Sequence, residues 1–278
     1  MINIPDLLRR YGIHPDKHLG QNFLVDHFFL NQIVEIAQIE SDDVVLEIGP
    51  GVGNLTRLLA SQARYVVAVE IDESLIPPIK EMLAPYKNVQ IIQGDILRCD
   101  IPKLLPEVMN YLVVANIPYY ITSPLIRQIL EAKIPPKRMV LTVQQEVAER
   151  ICAQPGDMSL LALSVQIYGD PAIIIHIPAT AFYPNPKVAS MVIRIDPYPN
   201  PLISTQELPV FFRLAKAGFS QKRKKLRNSL SGGMRWKVQE ADQLLAKANI
   251  DPQRRAESLS IPEWKRLVSA TQDVIIAG

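Results

Sequence analysis

Val44-Val45-Leu46-Glu47-Ile48-Gly49-Pro50-Gly51-Val52-Gly53 is a short apolar run carrying one acid, and it stops on three glycines at alternate positions. A β-branched run of this length reads as a buried parallel strand. Glycines directly behind such a strand permit a tight turn and a close approach of backbone to a ligand. The helix that follows turns its free N–H groups toward that ligand. The arrangement serves NAD, FAD or S-adenosylmethionine equally. Its spacing, however, is GxGxG behind an acid, not the GxGxxG of dinucleotide folds.

Working outward, strand-like runs alternate with amphipathic segments from about Asp26 to Arg150. The further strands are Tyr65–Glu70, Val89–Ile92, Tyr111–Ala115 and Met139–Val143, and Ser123–Ala132 is one of the helical segments between them. Such alternation implies right-handed βαβ units in one sheet covered on both faces. Two later runs, Ala172–Ile177 and Val188–Ile195, have no helix between them and predict an antiparallel pair at the sheet edge. The proline-punctuated stretch Asp196–Pro201 reads as a stiff linker. Beyond it, helices are expected over Gln206–Gly218, Lys222–Leu230, Val238–Ala248 and Ile261–Ile276. The expected architecture is α/β, Rossmann-like, with a seven-stranded mixed sheet and a small C-terminal all-α domain. The expected domains are residues 1–198 and 199–278.

The totals exclude several classes. Two cysteines, Cys99 and Cys152, with no CxxC pair argue against a disulfide framework or zinc site and fit a reducing cytoplasm. His14 and His18 lie four apart but Gly20 follows, and they read as surface or RNA-facing residues, so no metal is expected. The first residues show no signal-peptide pattern, and no apolar run is long enough for a membrane span. Nothing demands a partner chain, so a monomer is expected. The net charge of +2 hides an asymmetry: residues 199–278 carry 14 Lys/Arg against 7 Asp/Glu. That excess points to a polyanion partner, although a solvated helical surface gives the same count.

Four further signals carry chemistry. Glu70 ends the second strand, where a carboxylate can accept from both ribose hydroxyls. Asp95 follows the third, where it can accept from an adenine amine. Asn116-Ile117-Pro118-Tyr119 follows the fourth and matches the Asn/Asp-Pro-Pro-Tyr class found in enzymes that methylate exocyclic amines of planar bases. The amine lone pair is delocalised into the ring. Two acceptors, the Asn116 side-chain oxygen and the Ile117 carbonyl, favour a pyramidal nitrogen. Pro118 holds the backbone, and Tyr119 offers a face for base stacking. Phe182, in Phe182-Tyr183-Pro184-Asn185-Pro186-Lys187-Val188, offers a cover for the other face of an extruded base; the plain alternative is a rigid connection with a packed Phe. Last, Lys222, Arg223, Lys224, Lys225 and Arg227 place five cations within six positions, a phosphate-binding run.

Together these segments resemble the small-subunit (16S) rRNA adenine N6,N6-dimethyltransferase family almost end to end. The resemblance begins at Gly20-Gln21-Asn22-Phe23-Leu24-Val25-Asp26, which looks like that family's cofactor-capping motif. It ends at Ile250–Ser260, a signature of the small-subunit branch. It implies cofactor contacts at Asn22, Leu24, Gly49, Glu70, Asp95 and Asn116, to which the glycine turn adds Gly51, and a target-base pocket at Asn116, Ile117, Tyr119 and Phe182. It further implies S-adenosylmethionine as methyl donor, and two adjacent adenosines in a 3′-terminal hairpin loop of an assembling small subunit as substrate. The chain departs from the pattern at Gly156–Val165 and at Ala189. Rival readings are a large-subunit rRNA methyltransferase conferring antibiotic resistance, a non-catalytic ribosome assembly factor and a nicotinamide-dependent dehydrogenase.

Overall fold

The computed structural model describes residues 3–16, 18–105, 110–118 and 121–276. The chain divides into two compact units, Met1–Ala148 with Pro171–Pro197, and Glu149–Asp170 with Tyr198–Gly278.

In the first unit, β2 (Val44–Ile48), β3 (Tyr65–Glu70), β4 (Val89–Gln93), β5 (Tyr111–Asn116) and β6 (Arg138–Gln144) form parallel ladders. With β7 (Gly169–Ile177) and β9 (Ser190–Pro197) they make a seven-stranded sheet of order β4-β3-β2-β5-β6-β9-β7. β9 runs antiparallel to β6, so the expected mixed sheet is present. Every residue of β2 is buried, as a central strand covered on both faces requires. One face is filled by Leu30, Ile33 and Val34 of α2 (His27–Ala37) and Leu55 and Leu59 of α3 (Asn54–Ala60), packed on Val45, Val66, Leu112 and Val114. Each such buried Val or Leu contributes roughly 1.5–3 kcal/mol. A second cluster joins α1 (Ile4–Arg10) to α4 (Ile76–Leu83) through Leu7, Leu8, Ile79 and Leu83, with Phe23 and Val52. A two-stranded ribbon pairs β1 (Phe23–Leu24) antiparallel with β8 (Phe182–Tyr183).

The second unit is helical. It contains α8 (Leu160–Gln166), α9 (Leu208–Phe219), α10 (Leu226–Met234), α11 (Val238–Lys247) and α12 (Ile261–Ile276). Trp264 is its fully buried centre, stacked on Phe219 and edge-on to Phe211. A Cβ on Gly218 would lie 2.8 Å from the Trp264 ring, and one on Gly233 2.5 Å from Ala217 Cβ. Glycine inside a helix costs about 1 kcal/mol, and here it permits close packing.

Two expectations need correction. Residues 149–170 group with the helical unit, and only the last two of them, Gly169 and Asp170, belong to the sheet, as the start of β7. Main-chain bonds hold them there: Gly156 N and Met158 N donate to Glu257 O, and Tyr168 O accepts from Tyr198 N. The basic run is not the start of a helix. Residues 221–225 form a turn, and α10 begins only at Leu226.

Candidate active site

The carboxyl ends of β2, β3 and β5, with the segment after β4, open onto one cavity of about 150 Å³. Open α/β sheets place ligands at this edge. The glycine turn forms its floor: Gly49 and Gly51 adopt φ of +66° and +61°. Gly51 is tighter than the turn alone demands, because a Cβ there would meet the Phe23 ring at 2.8 Å. The close approach is therefore to the protein's own segment 19–24, which forms another wall.

Glu70, at the end of β3, is buried. Its Oε2 accepts from Gly51 N at 3.0 Å and its Oε1 from Asp72 N at 2.9 Å. Burial raises its carboxyl above the ordinary range, against the pull of these bonds. Each oxygen keeps a further lone pair for a ligand. Asp95 caps the turn after β4 through Leu97 N at 3.0 Å. Glu47 points into the same region from β2. Burial pushes its carboxyl up to about 8.

Asn116 ends β5. Its Nδ2 donates to the Asn22 carbonyl at 3.0 Å. A carbonyl can only accept, so the amide nitrogen must face it and Oδ1 must face away. Ile117 N bonds Thr142 O at 3.2 Å, continuing the ladder one residue beyond the strand. Pro118 packs beneath the glycine turn, with its Cδ 3.5 Å from where a Gly49 Cβ would stand.

The structure thus brings Asn22, Leu24, Gly49, Gly51, Glu70, Asp95 and Asn116 to one cavity, with Ile117 and Pro118 beside them. Tyr119 lies outside the described residues. Phe182 is not brought there. It pairs with Leu24 in the ribbon and its ring is buried in the core with Leu24, Leu30 and Val192, while Tyr183 beside it is exposed. The packed alternative for Phe182 is the one observed. Sequence reasoning missed Gln21, Glu47 and Ile71 as wall residues. Ile71 directly follows Glu70, so strand-end position was a usable signal for it.

The donor set fits an adenosine-bearing ligand. Two carboxylates follow neighbouring strands, and Ile71, Ile96 and Leu97 add apolar surface. Ile71 is 42% exposed, a large side chain left without full cover. In the helical unit, Lys222, Arg223, Lys224 and Lys225 are exposed. Lys225 bonds Gln253, and Arg227 pairs with Asp242.

The strand order, with antiparallel β9 beside β6, and the cavity behind the glycine turn define a Rossmann-like class I methyltransferase. The model of the family described as Ribosomal RNA adenine dimethylase matches residues 14–272, and the chain belongs to that family. A "Ribosomal RNA small subunit methyltransferase A" from Alkaliphilus oremlandii (strain OhILAs) is 42% identical over 93% of this chain and 92% of its own. The protein of the same name from Dehalococcoides mccartyi (strain CBDB1) is 42% identical over 96% and 92%. Among solved structures, a dimethyladenosine transferase from Plasmodium falciparum superposes with TM-score 0.78 at 26% identity, over 90% of this chain and 98% of that one. The 23S rRNA methyltransferase ErmE gives 0.73 at 27% identity, over 90% and 100%.

Proposed function

We propose that the protein transfers methyl groups from S-adenosylmethionine to the N6 amines of two adjacent adenosines in the 3′-terminal hairpin loop of 16S rRNA. The substrate in this reading is an assembling small ribosomal subunit in the cytoplasm, the enzyme acts as a monomer, and the modification serves subunit maturation. The observation that carries the reading is the orientation of Asn116. Its nitrogen is committed to Asn22 O, so its oxygen is the atom offered to an amine.

Glu70 would accept from the ribose hydroxyls and Asp95 from the adenine amine of the donor, with Asn22, Leu24, Gly49 and Gly51 enclosing it. The donor supplies an electrophilic methyl on a positively charged sulfur. Asn116 Oδ1 and the Ile117 carbonyl accept the two amine hydrogens and localise the nitrogen lone pair toward that carbon. The residues contribute alignment and proximity. No strong base is needed, because the methylated nitrogen is positively charged and its proton passes to water. Lys222, Arg223 and Lys224 would hold the RNA by its phosphates.

The test is incorporation of labelled methyl into small subunits lacking the modification, with reverse-transcription stops mapped on both rRNAs. Stops at the paired adenosines of 16S rRNA support the proposal. Stops only in 23S rRNA favour the large-subunit reading, and no incorporation above a heat-killed control refutes the activity. Asn116→Ala should slow transfer about 100-fold while RNA affinity stays within about twofold, a loss typical of misplaced reactants. Equal loss of both would contradict the role given to Asn116.

A further inference from the structure

The segment carrying Asn22 is itself held by contacts that the cofactor and base readings leave unused. Gln21 Nε2 donates to Asp72 Oδ2 at 2.6 Å. Its Oε1 accepts from Asp16 N at 2.8 Å, while Gln21 N donates to Asp16 O at 3.1 Å. Asp72 is equally engaged. Its Oδ1 accepts from Ser74 N at 2.9 Å and Ser74 Oγ at 2.7 Å, and its own N–H donates to Glu70 Oε1 at 2.9 Å. Further along, Asn22 O accepts from Asn116, and Leu24 O accepts from Asn54 Nδ2 at 3.1 Å. Hydrogen bonds therefore link Gly51 N through Glu70 and Asp72 to Gln21, and the peptide bond from Gln21 carries the tether on to the Asn22 carbonyl, which bonds Asn116.

We infer that Gln21 and Asp72 form a latch that positions the Asn116 carboxamide for amine methylation by holding the Asn22 carbonyl against it. The inference rests on the functional reading above. The chemistry at position 21 is narrow. The side chain must donate to a carboxylate and accept from a main-chain N–H at the same time, which a carboxamide does. Glutamate would keep the acceptor but set a second carboxylate against Asp72. Leucine would fill similar volume and do neither. With the latch open, Asn22 O is free to leave Asn116 Nδ2, and the amide loses a contact that distinguishes its two ends. Gln21 is thus a positioning residue, two hydrogen bonds removed from the reacting atoms.

Two measurements on the full-length chain test this. In hydrogen–deuterium exchange without ligand, Gln21→Leu and Gln21→Glu should each speed exchange at residues 22–25 at least tenfold, with β2 and β3 unchanged, as expected of local rather than global opening. In steady-state transfer to unmodified small subunits at saturating donor, both variants should lose about tenfold or more in kcat with KM for the subunit within about twofold. Unchanged exchange at 22–25 overturns the latch. Wild-type kcat with a loosened segment overturns its link to Asn116. Should the wild-type chain methylate neither rRNA, the functional reading fails by itself, and the exchange result alone still decides whether Gln21 holds the segment.

Discussion

At the scale of single residues, Gly51 and Gly12 separate two costs that are usually confounded. Both adopt a left-handed backbone, with φ of +61° and +64°. A Cβ at Gly12 meets nothing within 4 Å, whereas one at Gly51 lies 2.8 Å from Phe23. Gly12→Ala should therefore cost only backbone strain, about 1–2 kcal/mol, a fall in Tm of about 2–8 °C. Gly51→Ala should cost more and should also weaken S-adenosylmethionine binding, because displacing Phe23 moves the segment that walls the cavity. Equal Tm values with undiminished binding would refute this. Glu47 gives a second test. Buried, it keeps its proton up to about 8, whereas its ordinary value is 4.5. Between these values the folded chain binds more protons than the unfolded one, so stability falls as pH rises across the window. Glu47→Gln cannot ionise, so its Tm should decline less than that of wild type from pH 5 to 8. Parallel melting curves would show that Glu47 is charged in the fold. The acid before the glycines was visible in the sequence; the upward shift of its carboxyl was not, because burial depends on the neighbours that α3 and the sheet supply.

Among elements, Ile250–Ser260 changes meaning once its contacts are known. Arg254 reaches both carboxylate oxygens of Glu263 and both Oγ and O of Ser258, while Glu263 also accepts from Ser260 N at 2.8 Å. Desolvation would raise the Glu263 carboxyl, but the bonds from Arg254 and Ser260 prevail and hold it at about 2. The loop in turn receives Leu226 N on Arg254 O at 2.7 Å, so it fastens the start of α10 directly behind the basic turn. A segment that carried the family resemblance in the sequence is here a structural clamp. Arg254→Lys should lower Tm even though charge is kept, since an ammonium cannot reproduce the planar fork; an unchanged Tm would leave the clamp without energetic weight. Strands of β-branched residues bounded by turns were legible to within about two residues, as Val44–Ile48 shows, because their burial on both faces leaves a local pattern. The turn at 221–225 was not, since its cations are good helix formers and the chain there follows the docked loop instead. Phe182 was misread for a related reason: which face of the ribbon a residue takes depends on its register with Leu24, a pairing between segments about 160 positions apart.

For the whole molecule, the division of labour follows charge and chain path together. The join at 197–198 coincides with the proline-rich linker, but the excursion 149–170 into the helical unit leaves no compositional mark, since a helix packed on helices reads like a helix packed on a sheet. The basic excess of the C-terminal region was legible because it needs only counting. What counting hides is that the cations are not equivalent. Lys222, Arg223 and Lys224 are exposed on the turn, while Arg227 is paired with Asp242. Each phosphate neutralised releases counterions and adds about 0.7–0.9 to the slope of log K against log salt. The triple variant Lys222→Ala, Arg223→Ala, Lys224→Ala should therefore weaken binding to unmodified small subunits and flatten that slope by about two to three, while Tm moves by less than about 2 °C. Arg227→Ala should do the reverse, lowering Tm by stranding Asp242 while changing the slope by less than about one. Filter binding across a salt series, with melting curves of the same preparations, separates the two. If the triple variant keeps the wild-type slope, the RNA is held by some other surface, and the charge asymmetry reflects solvation alone.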